Sequence, residues 1–127
     1  MFGDRRPAIG GAVLVMLAAC GGDSTGNSAP PPDAITINLV STPVPAFVPA
    51  VDTIAVGGTV TWQWDAGTHD VEFPAGASPV FPEVPDHTGV QAPQTVITAA
   101  GSYHFFCSWH ATEACLPGAM CGTIVAK

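Results

Sequence analysis

Four side chains in this sequence have donor atoms of the kind that hold a redox metal: His69, Cys107, His110 and Met120. Together they offer two imidazoles, one thiolate and one thioether. Soft sulfur favours Cu(I), and imidazole serves either oxidation state, so the set suits a copper ion that shuttles between Cu(I) and Cu(II). Cys107-x-x-His110 puts two donors on one tight loop after an apolar run, and His69 must arrive from elsewhere in the fold. Other metals fit worse. Structural zinc prefers four strong ligands in paired motifs, and the spacing of Cys115 and Cys121 is not such a pair. A binuclear copper centre would need a second cysteine four residues from Cys107, and Ala111 stands there. No nucleophile–base pair or carboxylate dyad is arguable from the sequence, so catalysis is not expected.

The elements that must position these donors are strands. Ile35, Ile37 and Leu39 alternate with polar neighbours, as do Val60, Trp62 and Trp64. Further strands are expected at 69–73, 95–98, 103–107 and 123–126, punctuated by Gly57-Gly58, Asp65-Ala66-Gly67 and Ala100-Gly101. Pro43, Pro45 and Pro49 predict an irregular segment or an edge strand. The segment 74–93 is expected to be a long Pro/Gly-rich loop with room for one short element. About seven short strands and no helical stretch predict an all-β, antiparallel Greek-key sandwich of two sheets. Tyr103, Phe105 and Cys107 share one face, which delivers the cysteine at the end of a buried strand. His104 falls on the opposite face and His87 in the long loop, so both are expected to be bystanders.

From about Gly57 the chain resembles the plastocyanin-like cupredoxins. Their first copper histidine follows a strand with glycine and then Val-x-Trp, matched here by Gly58-Thr59-Val60-Thr61-Trp62, and it precedes an apolar strand, matched by His69-Asp70-Val71-Glu72-Phe73. The second signature of that family is matched by Gly101-Ser102-Tyr103-His104-Phe105-Phe106-Cys107-Ser108-Trp109-His110, then Met120-Cys121-Gly122-Thr123-Ile124. The resemblance implies a single type 1 copper ion with His69, Cys107 and His110 as equatorial ligands and Met120 as the weak axial one. It also implies single-electron transfer, with electrons leaving by the edge of His110 beside Trp109.

Two departures from the family pattern matter. Met120 lies ten residues after His110, where the family has four or five. The insertion brings Cys115 and Cys121. If Cys20 carries lipid and Cys107 holds copper, these two are left to pair in an oxidising compartment, and the bond would pin the lengthened loop. The position after the first histidine, often Asn in the family, is Asp70. Its carboxylate is expected to accept hydrogen bonds from Ser108 and, by its charge, to favour Cu(II).

The N-terminus reads as an address. Arg5 and Arg6 precede an uncharged apolar run, and Leu17-Ala18-Ala19-Cys20 resembles a bacterial lipobox. Residues 1–20 are therefore expected to be a lipoprotein signal peptide with Cys20 lipidated, 21–33 a flexible Gly/Ser/Pro linker, and 34–127 the domain. The expected location is the bacterial cell envelope, lipid-anchored, with the domain outside the cytoplasmic membrane. After Cys20 there are nine acids against the single base Lys127. Such a surface repels phosphate backbones, which sets nucleic acid aside as a partner, and attracts a basic face on a redox partner such as a cytochrome or copper oxidoreductase. Delivery or buffering of copper is the alternative function.

Overall fold

The computed structural model describes residues 28–79 and 81–127. The expected signal segment, Cys20 and most of the expected linker lie outside the described residues. Among the described residues nine strands follow one another: β1 (Ala34–Val40), β2 (Ala46–Val48), β3 (Val51–Ile54), β4 (Thr59–Trp64), β5 (Thr68–Val71), β6 (Val84–Thr88), β7 (Gln94–Val96), β8 (Gly101–Phe106) and β9 (Cys121–Ala126). One sheet has the order β2-β1-β4-β7, a second has β3-β9-β8, and β5-β6 forms a two-stranded ribbon. Among the described residues no helix is long and apolar enough to cross a membrane.

The sheets pack as a sandwich because the period-two residues of each turn inward. From the first sheet Ile37, Leu39, Val60, Trp62 and Trp64 are fully buried; from the second, Ile54, Phe105 and Ile124. Phe105 joins the two layers. Its ring lies 4.9 Å from that of Trp62 and 4.8 Å from that of Phe47, edge-on to both, an arrangement that adds to the stabilisation from area burial alone. Gly122 stands opposite Phe105 in the β8–β9 ladder, and a Cβ there would collide with the Phe105 ring. Both core tryptophans satisfy their indole N–H: Trp62 donates to Thr95 Oγ1 at 2.9 Å, and Trp64 to the carbonyl of His69 at 3.1 Å.

The expected all-β sandwich is present, but its pairing is not wholly antiparallel. β1 runs parallel to β4, and β3 parallel to β9. Alternation specifies which face a residue takes and is silent on strand direction. The β1–β4 register sets Ile35, Ile37 and Leu39 beside Val60, Trp62 and Trp64, so buried residues meet buried residues. The intervening chain supplies an edge strand, β2, to the same sheet and β3 to the other before returning, and such a crossover permits the parallel pair. The short element for which the 74–93 segment left room is β6, which pairs with β5.

Candidate metal centre

Three segments meet at one end of the sandwich. β8 delivers Cys107 just beyond its last residue. A tight turn follows, in which the His110 N–H donates to the Cys107 carbonyl at 3.1 Å, and it swings the His110 ring back toward the sulfur. β5 delivers His69. Its ladder with β6 shifts register between His69 and Val71, and this irregularity lets consecutive residues, His69 and Asp70, both be buried. The Glu72 and Phe106 backbones exchange two hydrogen bonds, at 2.8 and 2.9 Å, which fastens β5 to β8 directly beneath the site. Met120 arrives immediately before β9, fully buried, and its carbonyl accepts the Cys107 N–H at 3.0 Å.

The structure brings His69, Cys107 and His110 together. Cys107 Sγ is 3.8 Å from His69 Nδ1 and 3.4 Å from His110 Nδ1, the imidazole centroids are 5.0 Å apart, and the three donor atoms lie within 4.8 Å of one another. His69 and Cys107 have no solvent exposure, whereas His110 is exposed. Burial pushes the Cys107 thiol up to about 11, against backbone N–H groups of Asp70 and Trp109 that favour its thiolate. His69 is pushed below the ordinary histidine range, first by burial and then by the neighbouring His110, while the Ala66 carbonyl and Asp70 oppose the shift. A buried neutral imidazole and a thiol that ionises on metal binding are the donors a copper ion requires. The residues present fit one copper ion.

Asp70 holds the two ligand segments together. Its Oδ1 accepts the Ser108 N–H at 2.7 Å, and its Oδ2 accepts the Ser108 hydroxyl. Glu72 and Glu83 carboxylates approach Asp70, and Glu72 is raised in pKa by burial first and then by Asp70 and Glu83.

The segment between His110 and Met120 is a sequence of turns closed by a Cys115–Cys121 disulfide. Its Glu113 accepts the Ala75 N–H at 3.1 Å, so the insertion leans on the loop after β5. Trp109 and Leu116 are exposed beside His110, and with Ala111, Thr112 and Ala119 they line a shallow hollow. Neither remaining histidine contributes a donor to the cluster, although His87, expected in a loop, lies in β6 directly across from His69. His104 is exposed with its Nδ1 on the Thr123 hydroxyl, and His87 lies edge-on to Trp64.

One contact had no signal in the sequence. Ser41, just past β1, lies with its hydroxyl 2.9 Å from His69 Nε2. The turn at Gly67 was visible, but not its reason. Gly67 has φ of 85°, and a Cβ there would collide with Ser41 Oγ.

A two-sheet sandwich with a His–Cys–His cluster and a buried methionine at one end is a cupredoxin fold carrying a type 1 copper-like site. No protein-family model and no curated protein matches the chain, but solved structures do. A reduced amicyanin variant is 27% identical, over 74% of this chain and 82% of that one, with a TM-score of 0.60. An oxidised amicyanin variant is 25% identical, over 80% and 88%, with a TM-score of 0.61. The copper-containing nitrite reductase of Thermus scotoductus SA-01 is 22% identical; the match spans 97% of this chain and 25% of that one, with a TM-score of 0.60, and shows the fold alone.

Proposed function

We propose that this chain is a single-electron carrier of the bacterial cell envelope, working through one type 1 copper ion that His69, Cys107, His110 and Met120 would hold. The observation that carries the reading is the asymmetry of the donor set. Both Nδ1 atoms converge on Cys107 Sγ, yet of these donors only His110 reaches the surface. Copper supplies a one-electron couple. The chain's own residues keep water from His69, Cys107 and Met120, and hold their positions through the Asp70–Ser108 and Trp64–His69 hydrogen bonds. The His110 ring is then the short route between site and partner. The burial of the other three donors favours a carrier over a delivery protein, which must release its ion.

The exposed hollow of Trp109, Leu116 and Ala119 around His110 is the natural docking face, and the acidic surface suits a cytochrome or copper oxidoreductase with a basic face. Cys20, at the end of its lipobox-like motif, would anchor the chain to a membrane by lipid, with 21–33 as the tether.

The test is spectroscopic. Residues 21–127 loaded with Cu(II) should give an intense blue thiolate-to-copper band and narrow copper hyperfine splitting by electron paramagnetic resonance. Cys107→Ser should abolish the band. A pale protein with wide splitting would remove the carrier reading and leave copper handling.

A further inference from the structure

We propose that Ser41 is a positioning residue for the copper site: its hydroxyl fixes the tautomer of His69 so that Nδ1 presents its lone pair toward Cys107. The proposal rests on the type 1 copper reading for its consequence, but its geometry stands without metal.

The reasoning starts from strand register. β1 and β4 run parallel with Leu39 beside Trp64, and the Asp65 N–H donates to the Leu39 carbonyl at 3.1 Å, so the two chains stay together past the strand ends. That carries Ser41 alongside the Asp65-Ala66-Gly67 turn, 28 residues away from His69 in sequence. Ser41 Oγ donates to the Ala66 carbonyl at 2.7 Å and lies 2.9 Å from His69 Nε2. A hydroxyl has one proton to give. With that proton on Ala66, the oxygen can only accept from His69, so Nε2 carries the ring proton and Nδ1 is bare.

The opposite tautomer fails twice. Ser41 would have to turn its proton to Nε2 and abandon the Ala66 carbonyl, and a ring N–H would point at Cys107 where a metal donor belongs. The Ala66 carbonyl is exposed and can turn to water, so the second failure is the heavier one: the misplaced ring proton would face the buried Cys107 sulfur. His69 has no solvent exposure, so water does not substitute. Gly67 belongs to the same device. Any side chain there would occupy the space of the Ser41 hydroxyl. Hydrogen bonds of this kind from a ligand's second ring nitrogen orient the ring and raise its basicity.

The experiment uses the full chain in detergent, as wild type, Ser41→Ala and Ser41→Thr. Long-range proton–nitrogen correlation spectra of the metal-free protein report the His69 tautomer directly. Wild type should show Nε2–H alone, Ser41→Ala a mixture, and Ser41→Thr the wild-type pattern. Copper affinity should fall at least about tenfold in Ser41→Ala, the range found when such partners are removed, and recover in Ser41→Thr. An Nδ1–H tautomer in wild type overturns the proposal outright, whatever the variants do. So does a Ser41→Ala protein with unchanged tautomer and affinity, which would mean that the Ala66 carbonyl takes the ring proton itself. If wild type instead shows the Nε2–H tautomer but no blue band with Cu(II), the electron-carrier reading fails and the role of Ser41 toward His69 survives.

Discussion

The N–H of Cys107 donates to the carbonyl of Met120 at 3.0 Å, although twelve residues of chain lie between them. This bond prolongs the β8–β9 ladder one step beyond Phe106 and Cys121. The insertion after His110 therefore bulges outward and leaves the cysteine and methionine side by side at the backbone.

Met120→Leu follows from that placement. Leu nearly conserves the volume of Met, so the fold should lose less than about 1.5 kcal/mol. Losing the thioether withdraws a soft donor that favours Cu(I), but the hydrocarbon that replaces it penalises the more highly charged Cu(II) more, so the reduction potential should rise while the blue band persists. Voltammetry of the two proteins checks this. An unchanged potential would show that the sulfur does not reach the metal.

Opening the Cys115–Cys121 bond tests what the insertion needs. In the chain-entropy model a loop this short contributes about 2 kcal/mol, so the Cys115→Ser, Cys121→Ser double variant should melt roughly 10 °C lower and remain folded. The larger effect should be at the metal, because Cys121 directly follows Met120. We expect a broadened copper hyperfine pattern in the double variant. An identical pattern with only a lower melting temperature would confine the disulfide to stability.

Local patterns made much of this legible. Tyr103, Phe105 and Cys107 alternate on one strand, and Cys107 and His110 share one turn, so three-residue spacings sufficed. His69 was legible through the likeness of its strand to a known family. What stayed hidden was tertiary. Alternation in β1 and β4 does not encode their parallel direction. The prolines around Val84–Thr88 masked β6, which tolerates them as a short strand paired only with β5. Ser41 reaches His69 only because two strands happen to run on in register, and nothing in its neighbours Val40 and Thr42 announces it.

Copper uptake should release protons in a predictable way. With its thiol pushed up to about 11, Cys107 is protonated at neutral pH in the metal-free protein, whereas His69, pushed down, is already neutral. Between pH 7 and 9 each copper bound should release about one proton from Cys107, and affinity should rise roughly tenfold per pH unit. Indicator titration in weak buffer measures the first, and competition with a chelator the second. The same shift has a stability consequence of opposite sense. The thiol titrates near 9.0 when unfolded and near 11 when folded, so the unfolded chain loses its proton first. Metal-free stability is then full below about pH 9 and declines as pH rises toward 11. Cys107→Ala should flatten that decline in denaturant unfolding curves.

Asp70→Asn isolates charge from connectivity. The amide oxygen can still accept the Ser108 N–H, and the Ser108 hydroxyl can turn to accept from the new amide, so the link between the β5 end and the Cys107–His110 turn should survive. What disappears is a buried negative charge beside the thiolate, and that charge favours Cu(II) over Cu(I). At an effective dielectric constant between 20 and 80, a unit charge several ångströms away is worth about 1–3 kcal/mol, or roughly 40–130 mV for a one-electron couple. The potential should rise by that order, with the blue band and the melting temperature little changed. Ser108→Ala supplies the contrast, since it removes one hydrogen bond and keeps the charge. If Ser108→Ala moves the potential as far as Asp70→Asn does, the carboxylate acts by fastening the loops and its charge is incidental.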